Sequence, residues 1–317
     1  MKGNAMLDDF PFLSKTEPHC PQSLLDRARN LPVPRVALVN AGGAHPLQGL
    51  REAVELGLAD PVLIGDTARI LATADEIGWD ITGLPLIHAP GPEAAQKAAK
   101  MARAGEIDAI MKGQIHTSVF LQGLLPSSAG LRDKGSFCGH VFHMTMPGSD
   151  RPLLLTDAAL NVAPDVATRQ ACLTHAVRLA QMLGIAHPRA GLLAPTEDVV
   201  PAIPSTGEAA IIAAWAKTAL PDAIVEGPMA LDLIFSRAAA EAKGFASDVS
   251  GSPDIMLVPD ISSGNAIFKL MSLGMGCCAA GIVLGAKVPI ILTSRSQTAQ
   301  DRIASAALGV IAAGMRA

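Results

Sequence analysis

The run Thr293-Ser294-Arg295-Ser296 is where the chain offers chemistry most directly. It follows an apolar stretch over 288–292 and precedes a helical pattern over 298–313. A hydroxyl and a guanidinium at a helix start make an anion site, because free N–H groups and the helix dipole already favour negative charge there. Asp301, about two turns further on, adds a carboxylate. The same residues also suit a simple helix cap, since Ser and Thr are preferred N-caps. Four more strand ends finish in small polar or charged residues. They are Thr156-Asp157 with Asn161, Asp260-Ile261-Ser262-Ser263-Gly264-Asn265, Lys112-Gly113 with His116-Thr117, and Gly227-Pro228 with Asp232. Lys112, His116, Thr117, Asp157, Asn161, Asp232, Asp260, Ser263 and Asn265 are therefore candidate substrate-binding residues. Each could equally do no more than cap a helix.

Missing motifs narrow the chemistry. No GxGxxG follows a strand, and no GxxxxGK[ST], GxSxG, HExxH or CxxC occurs. His140 and His143 are three apart on a predicted strand, so they point to opposite faces and make a poor metal pair. The adjacent Cys277 and Cys278 lie in an apolar run and read as small core residues rather than a redox motif. No metal is expected.

Alternating elements position these loops. Strands are predicted over 35–40, 61–65, 85–88, 107–111, 190–194, 223–226, 255–259, 279–284 and 288–292. Helices are predicted over 21–30, 46–58, 67–77, 92–104, 164–184, 207–218, 231–243, 264–273 and 298–313. Residues 139–146 and 151–156 read as an antiparallel hairpin across the turn at 147–150. The alternation implies an α/β fold with mostly parallel sheet, whose ligands sit beyond the C-terminal strand ends.

Half of the 317 residues are hydrophobic, 17% are charged and only 3% are aromatic, so the core must be aliphatic. Such a core suits helices on buried parallel strands. The net charge is −4, with no basic run, which argues against a nucleic-acid partner. The N-terminal stretch with Asp8, Asp9 and Pro11 is not a signal peptide. Residues 273–292 are nearly uncharged, but Gly274, Gly276, Gly281, Gly285, Lys287 and Pro289 divide them into two strands rather than one membrane span. With five cysteines in no framework, a cytoplasmic location is expected.

Five stretches in order along the chain, 111–117 (MKGQIHT), 155–164 (LTDAALNVAP), 225–232 (VEGPMALD), 253–269 (PDIMLVPDISSGNAIFK) and 280–295 (AGIVLGAKVPIILTSR), resemble the phosphate acetyltransferase/phosphate butyryltransferase family. The likeness runs from about Pro34 onward. It is greatest to the butyryltransferase-like branch, including the transferase part of fused enoyl-CoA hydratase/phosphate acetyltransferases. It implies two α/β domains with a cleft between them, similar to isocitrate/isopropylmalate dehydrogenase. The first domain is then 1–142 plus 289–317, carrying the Ser-Arg site, and the second, 143–288, forms a homodimer.

The resemblance further implies direct transfer of a short acyl group between coenzyme A and inorganic phosphate, with no cofactor. Arg295 matches the family residue that holds the phosphoryl group, Ser294 the one that hydrogen-bonds the acyl group, and Asp301 the place of the proposed base. Gln297 stands where butyryl-type relatives have Asp, and Gln122 where relatives often place a phosphate-holding Arg, a role for which Arg132 is a candidate substitute. Two rivals remain: a metal- and NAD(P)-dependent dehydrogenase on the related scaffold, and a catalytically degenerate CoA-binding member.

Overall fold

The aliphatic runs become strands whose side chains are buried on both faces, as at Val36, Ala37, Leu38 and Val39. Covering each such Leu, Ile or Val contributes about 1.5–3 kcal/mol, which compensates for the scarcity of aromatics. The computed structural model describes residues 10–293 and 297–314.

The chain runs α1 (Gln22–Arg29), β1 (Arg35–Val39), α2 (Ala44–Glu55), β2 (Asp60–Gly65), α3 (Thr67–Glu76), β3 (Leu86–His88), α4 (Glu93–Ala104), β4 (Ala109–Lys112) and α5 (Thr117–Leu124). Next come β5 (Gly139–Thr145), β6 (Pro152–Thr156), α6 (Val166–Met182), β7 (Arg189–Leu193), α7 (Pro204–Ala219) and β8 (Ile224–Met229). Then follow α8 (Leu231–Phe235), α9 (Arg237–Ala242), β9 (Ile255–Leu257), α10 (Ile261–Lys269), β10 (Cys278–Leu284), β11 (Ile290–Ile291) and α11 (Ala299–Ala313).

Among the described residues, all eleven strands join one sheet in the order β3-β2-β1-β4-β11-β10-β5-β6-β9-β7-β8. β3 to β11 form one parallel array, and β6, β9, β7 and β8 form another. Between the arrays the pairings β11–β10, β10–β5 and β5–β6 are all antiparallel. Three reversals make the two arrays run in opposite directions. Their C-terminal strand ends therefore open on opposite edges of the sheet.

The hairpin expected at 139–156 forms, with Thr145 opposite Pro152. The run at 273–292 is split as its glycines suggest, and among the described residues no helix is long and apolar enough to cross a membrane. Three helices differ from expectation. The predicted 231–243 helix breaks at Ser236, whose side chain caps α9. The predicted 264–273 helix begins earlier, because Asp260 caps α10, and ends in a π-turn over Leu270–Gly274. Helix α5 was not anticipated at all.

α11 carries only small and aliphatic residues along its buried length, from Ala304 to Ala312. It packs on β10, α1 and α2, which fixes where Thr298 and the start of the helix stand. Beneath it, β5 buries two imidazoles. Burial holds the His140 ring down at about 4, partly offset by the Asp157 charge, and burial likewise holds His143 at about 4. Unfolded histidines take up protons near pH 6.5, whereas these rings in the fold do not until about pH 4. Their contribution is therefore complete above about pH 6.5 and is lost as pH falls through that window, by up to ~1.4 kcal/mol per pH unit for each ring. The melting temperature is expected to drop steadily from pH 7 to pH 5. A flat profile over that range would contradict the burial of neutral rings.

Candidate active site

At the C-terminal edge of the first array the chain turns sharply after each strand. Gly113 donates its N–H to the Val39 carbonyl at 2.9 Å, and Gln114 donates to Asn40 at 3.0 Å. A Cβ on Gly113 would lie 2.3 Å from the Val39 oxygen and 2.6 Å from the Asn40 oxygen. Both are backbone atoms, of the last residue of β1 and the one after it, and cannot give way. Gly113→Ala is expected to lower stability by about 3 kcal/mol, read as a shift in denaturant midpoint. A midpoint within error of the parent would show that the two strand ends are not held this close.

This approach opens a pocket of about 520 Å³ lined by Asn40, His45, Lys112, His116, Thr293 and Arg302, among others. Lys112 is buried, the end of a strand covered on both sides. Helices α2, α4 and α5 all begin here, and their N-cap residues, Gly43, Pro92 and His116, give no side-chain cap. By contrast α3, α6, α10 and α11 have theirs satisfied by Asp66, Asp165, Asp260 and Thr298. Uncapped first-turn N–H groups are donors without a helical partner. No carboxylate is among the described residues that line the pocket. The site is built to hold a dianion or an oxyanion.

Of the residues singled out from sequence, Lys112, His116 and Thr117 come together at this edge. Thr293 lies in the pocket wall, while Ser294 and Arg295 lie outside the described residues. Asp301 sits just behind, buried in the first turn of α11. One of its oxygens accepts from the Ala279 N–H at 2.8 Å, and the other from the Thr298 N–H and hydroxyl at 2.8 and 2.9 Å. The Cys278 thiol also bonds to it and is pushed above its ordinary range, chiefly by burial. Asp301 thus clamps β10 to α11 and completes a capping box with Thr298. A carboxylate offers about four acceptor sites, and these contacts occupy them. Gln297 strengthens the clamp by donating to the Ala279 carbonyl.

The other candidates stand elsewhere. Asp157, Asn161, Asp232, Asp260, Ser263 and Asn265 follow strands of the second array and so belong to the opposite edge of the sheet. Asp157 is buried and accepts from the backbone of His140, Ala159, Leu160 and Asn161 and from the Asn161 amide, which also holds Cys138. Asp260 accepts from the Ser263 N–H and hydroxyl as the cap of α10. Asp232 is half-exposed and paired with Lys243 at 3.2 Å. Arg132 spends its guanidinium on the carbonyls of Leu125 and Ser136, bracing the 125–136 loop, and does not line the pocket. Gln122 is an exposed residue of α5. Among the described residues, no three His, Cys, Asp or Glu side chains stand together as a metal site requires.

Residues 89–310 match the family model described as phosphate acetyl/butaryl transferase. The chain belongs to this family. It is 36% identical to a phosphate acetyltransferase of Rhizobium meliloti over 280 residues, covering 86% of this chain and 88% of that one. It is 31% identical to a phosphate butyryltransferase of Clostridium acetobutylicum, covering 92% and 97%. Among solved structures, a branched-chain phosphotransacylase from Enterococcus faecalis V583 superposes with a TM-score of 0.75 at 27% identity, over 88% of this chain and 99% of that one. The family match covers the pocket residues Lys112, His116, Thr293 and Arg302, whereas Asn40 and His45 precede it.

Sequence reasoning missed Asn40, His45 and Arg302. The Asn-Ala-Gly-Gly run after β1 was a signal for the first, since Asn40 takes a left-handed conformation (φ 59°) where Asn is tolerated.

Proposed function

We propose that this family member catalyses the reversible transfer of a short acyl group between coenzyme A and inorganic phosphate, in the Lys112 pocket. The observation that carries this reading is a pocket with no carboxylate among its described lining residues, where uncapped helix starts meet Lys112 and Thr293, both within the family-matched range. In the direction of acyl-CoA synthesis, the CoA sulfur attacks the carbonyl carbon of the acyl phosphate. The C–S bond forms, the bond from carbonyl carbon to phosphate oxygen breaks, and phosphate leaves with that electron pair. Negative charge grows on the carbonyl oxygen and the leaving phosphate, where fixed N–H donors and cations lower the barrier. Arg295 holds the phosphate and Ser294 the acyl oxygen.

A free thiol titrates near about 8.5, so its proton needs an acceptor, and the imidazoles of His45 and His116 stand in the pocket wall. Asp301 then serves to fix the loop that bears Ser294 and Arg295. No metal or redox cofactor takes part. The two arrays act as two domains about a cleft. A homodimer forms through residues 143–288, a reading supported by exposed Leu270, Leu273 and Met275.

Direct transfer has a specific test. Acetyl phosphate and CoA should give acetyl-CoA, while labelled phosphate should not exchange into acetyl phosphate until CoA is added. Exchange in the absence of CoA would mean a covalent acyl-enzyme and would overturn the ternary-complex mechanism.

A further inference from the structure

Arg302 has no place in the mechanism above, yet the fold makes room for it. It follows Asp301 in the first turn of α11 and reaches the wall of the pocket. One guanidinium nitrogen, Nη1, donates to the Gln297 carbonyl at 2.9 Å. Its Nε is buried without a hydrogen-bond partner among the described residues, a costly arrangement for a charged group unless an acceptor arrives. No carboxylate pairs with it among the described residues.

The facing helix is shaped to admit this side chain. Gly49 lies in the interior of α2, where glycine is about 1 kcal/mol worse than alanine. A Cβ there would lie 2.8 Å from the Arg302 Cδ and 3.0 Å from Nε. The helix thus gives up a side chain where the arginine stem crosses it. Gln122, which the resemblance sets where relatives often place a phosphate-holding Arg, is exposed on α5, and the suggested substitute Arg132 is spent on backbone carbonyls.

We propose that Arg302 is a substrate-binding residue whose guanidinium holds a phosphate oxyanion in the pocket, alongside Lys112 and the uncapped helix starts. The phosphate is either that of the acyl phosphate/inorganic phosphate pair or a phosphate of coenzyme A. The chemistry is shared, and kinetics separate the sources. This inference rests on the acyl-transfer reading.

The test compares wild type, Arg302→Gln, Arg302→Lys and Gly49→Ala in steady-state acyl transfer. CoA and 3′-dephospho-CoA are the alternative acceptors, and inorganic phosphate the substrate of the reverse reaction. Arg302→Gln is expected to raise KM for one phosphate-bearing substrate by about 10–100-fold, the usual range for losing a charged hydrogen bond, with kcat changed far less. Arg302→Lys should recover part of that loss. A rise confined to inorganic phosphate and acetyl phosphate assigns the acyl-phosphate side. A rise for CoA that vanishes with 3′-dephospho-CoA assigns the CoA 3′-phosphate.

Gly49→Ala, which introduces a better helix former, should raise the same KM without lowering the melting temperature. Arg302→Gln with every KM within about twofold of wild type would overturn the proposal, as would a fall in kcat alone, which is what a mere anchor of Gln297 would give. If wild type shows no acyl transfer, the function itself fails. Stabilisation by inorganic phosphate in thermal shift that Arg302→Gln abolishes would then still uphold the oxyanion site, and stabilisation unchanged by the substitution would refute it.

Discussion

Arg295→Lys is expected to lower kcat/KM for inorganic phosphate by about 100-fold while leaving KM for CoA nearly unchanged. Lysine keeps the positive charge but loses the planar fork that matches two phosphate oxygens. A charge-assisted hydrogen bond contributes about 1.5–3 kcal/mol, or roughly 10- to 150-fold in affinity. Arg295 lies outside the described residues and stands two positions after Thr293, which lines the pocket. Steady-state kinetics in both substrates decide the matter. Equal weakening of CoA and phosphate would instead assign Arg295 to CoA or to the loop itself.

Asp301→Asn is the second large effect, and it separates two roles. The carboxylate accepts from the N–H groups of Ala279 and Thr298 and from the Thr298 hydroxyl. An amide can accept on one side only, and its NH₂ would face one of those donors. The buried position allows little relief by water. A loss of about 3 kcal/mol in stability is expected, the scale of breaking charged hydrogen bonds at a buried site. Turnover should fall with it, because the clamp ties the start of α11, which carries the pocket residue Arg302, to β10. Raising the pH should not restore the rate. If Asp301 were the general base as well, the stability loss would be the same, since these contacts are made either way. The rate would then fall by roughly 10²–10⁴ and climb with pH as CoA ionises unaided. Urea midpoints measure the loss of stability, and the pH–rate profile distinguishes the two.

The contrast shows which features a sequence exposes. Strand runs such as 36–39 and 282–284 were legible because burial on both faces leaves an unbroken aliphatic stretch. The hairpin at 139–156 was legible from alternation and from its Pro-Gly turn. The start of α11 was legible too, since Thr298 and Asp301 have capping-box spacing. Direction in the sheet was not legible. Nothing local in Asp157, Asp260 or Lys112 tells which array a strand joins, so strand-end polar residues that look alike fall on opposite edges. Helix α5 was missed because its eight residues include Gly123 and lack an N-terminal side-chain cap. That missing cap is the feature that matters at the pocket. Arg302 was hidden for a related reason: its partner feature, Gly49, lies on another helix some 250 residues away in the chain and shows only as an absent side chain.

The most direct measurement is acyl phosphate formation by purified protein from acetyl-, propionyl- or butyryl-CoA and inorganic phosphate, in EDTA and without nucleotide. Acyl phosphate is trapped as the hydroxamate and free CoA is titrated as thiol. The expected result is equal release of CoA and acyl phosphate with at least one of the three, at a rate that chelator does not reduce. No acyl phosphate from any of them, with hydride transfer to NAD(P) appearing only when a divalent metal is added, would contradict it.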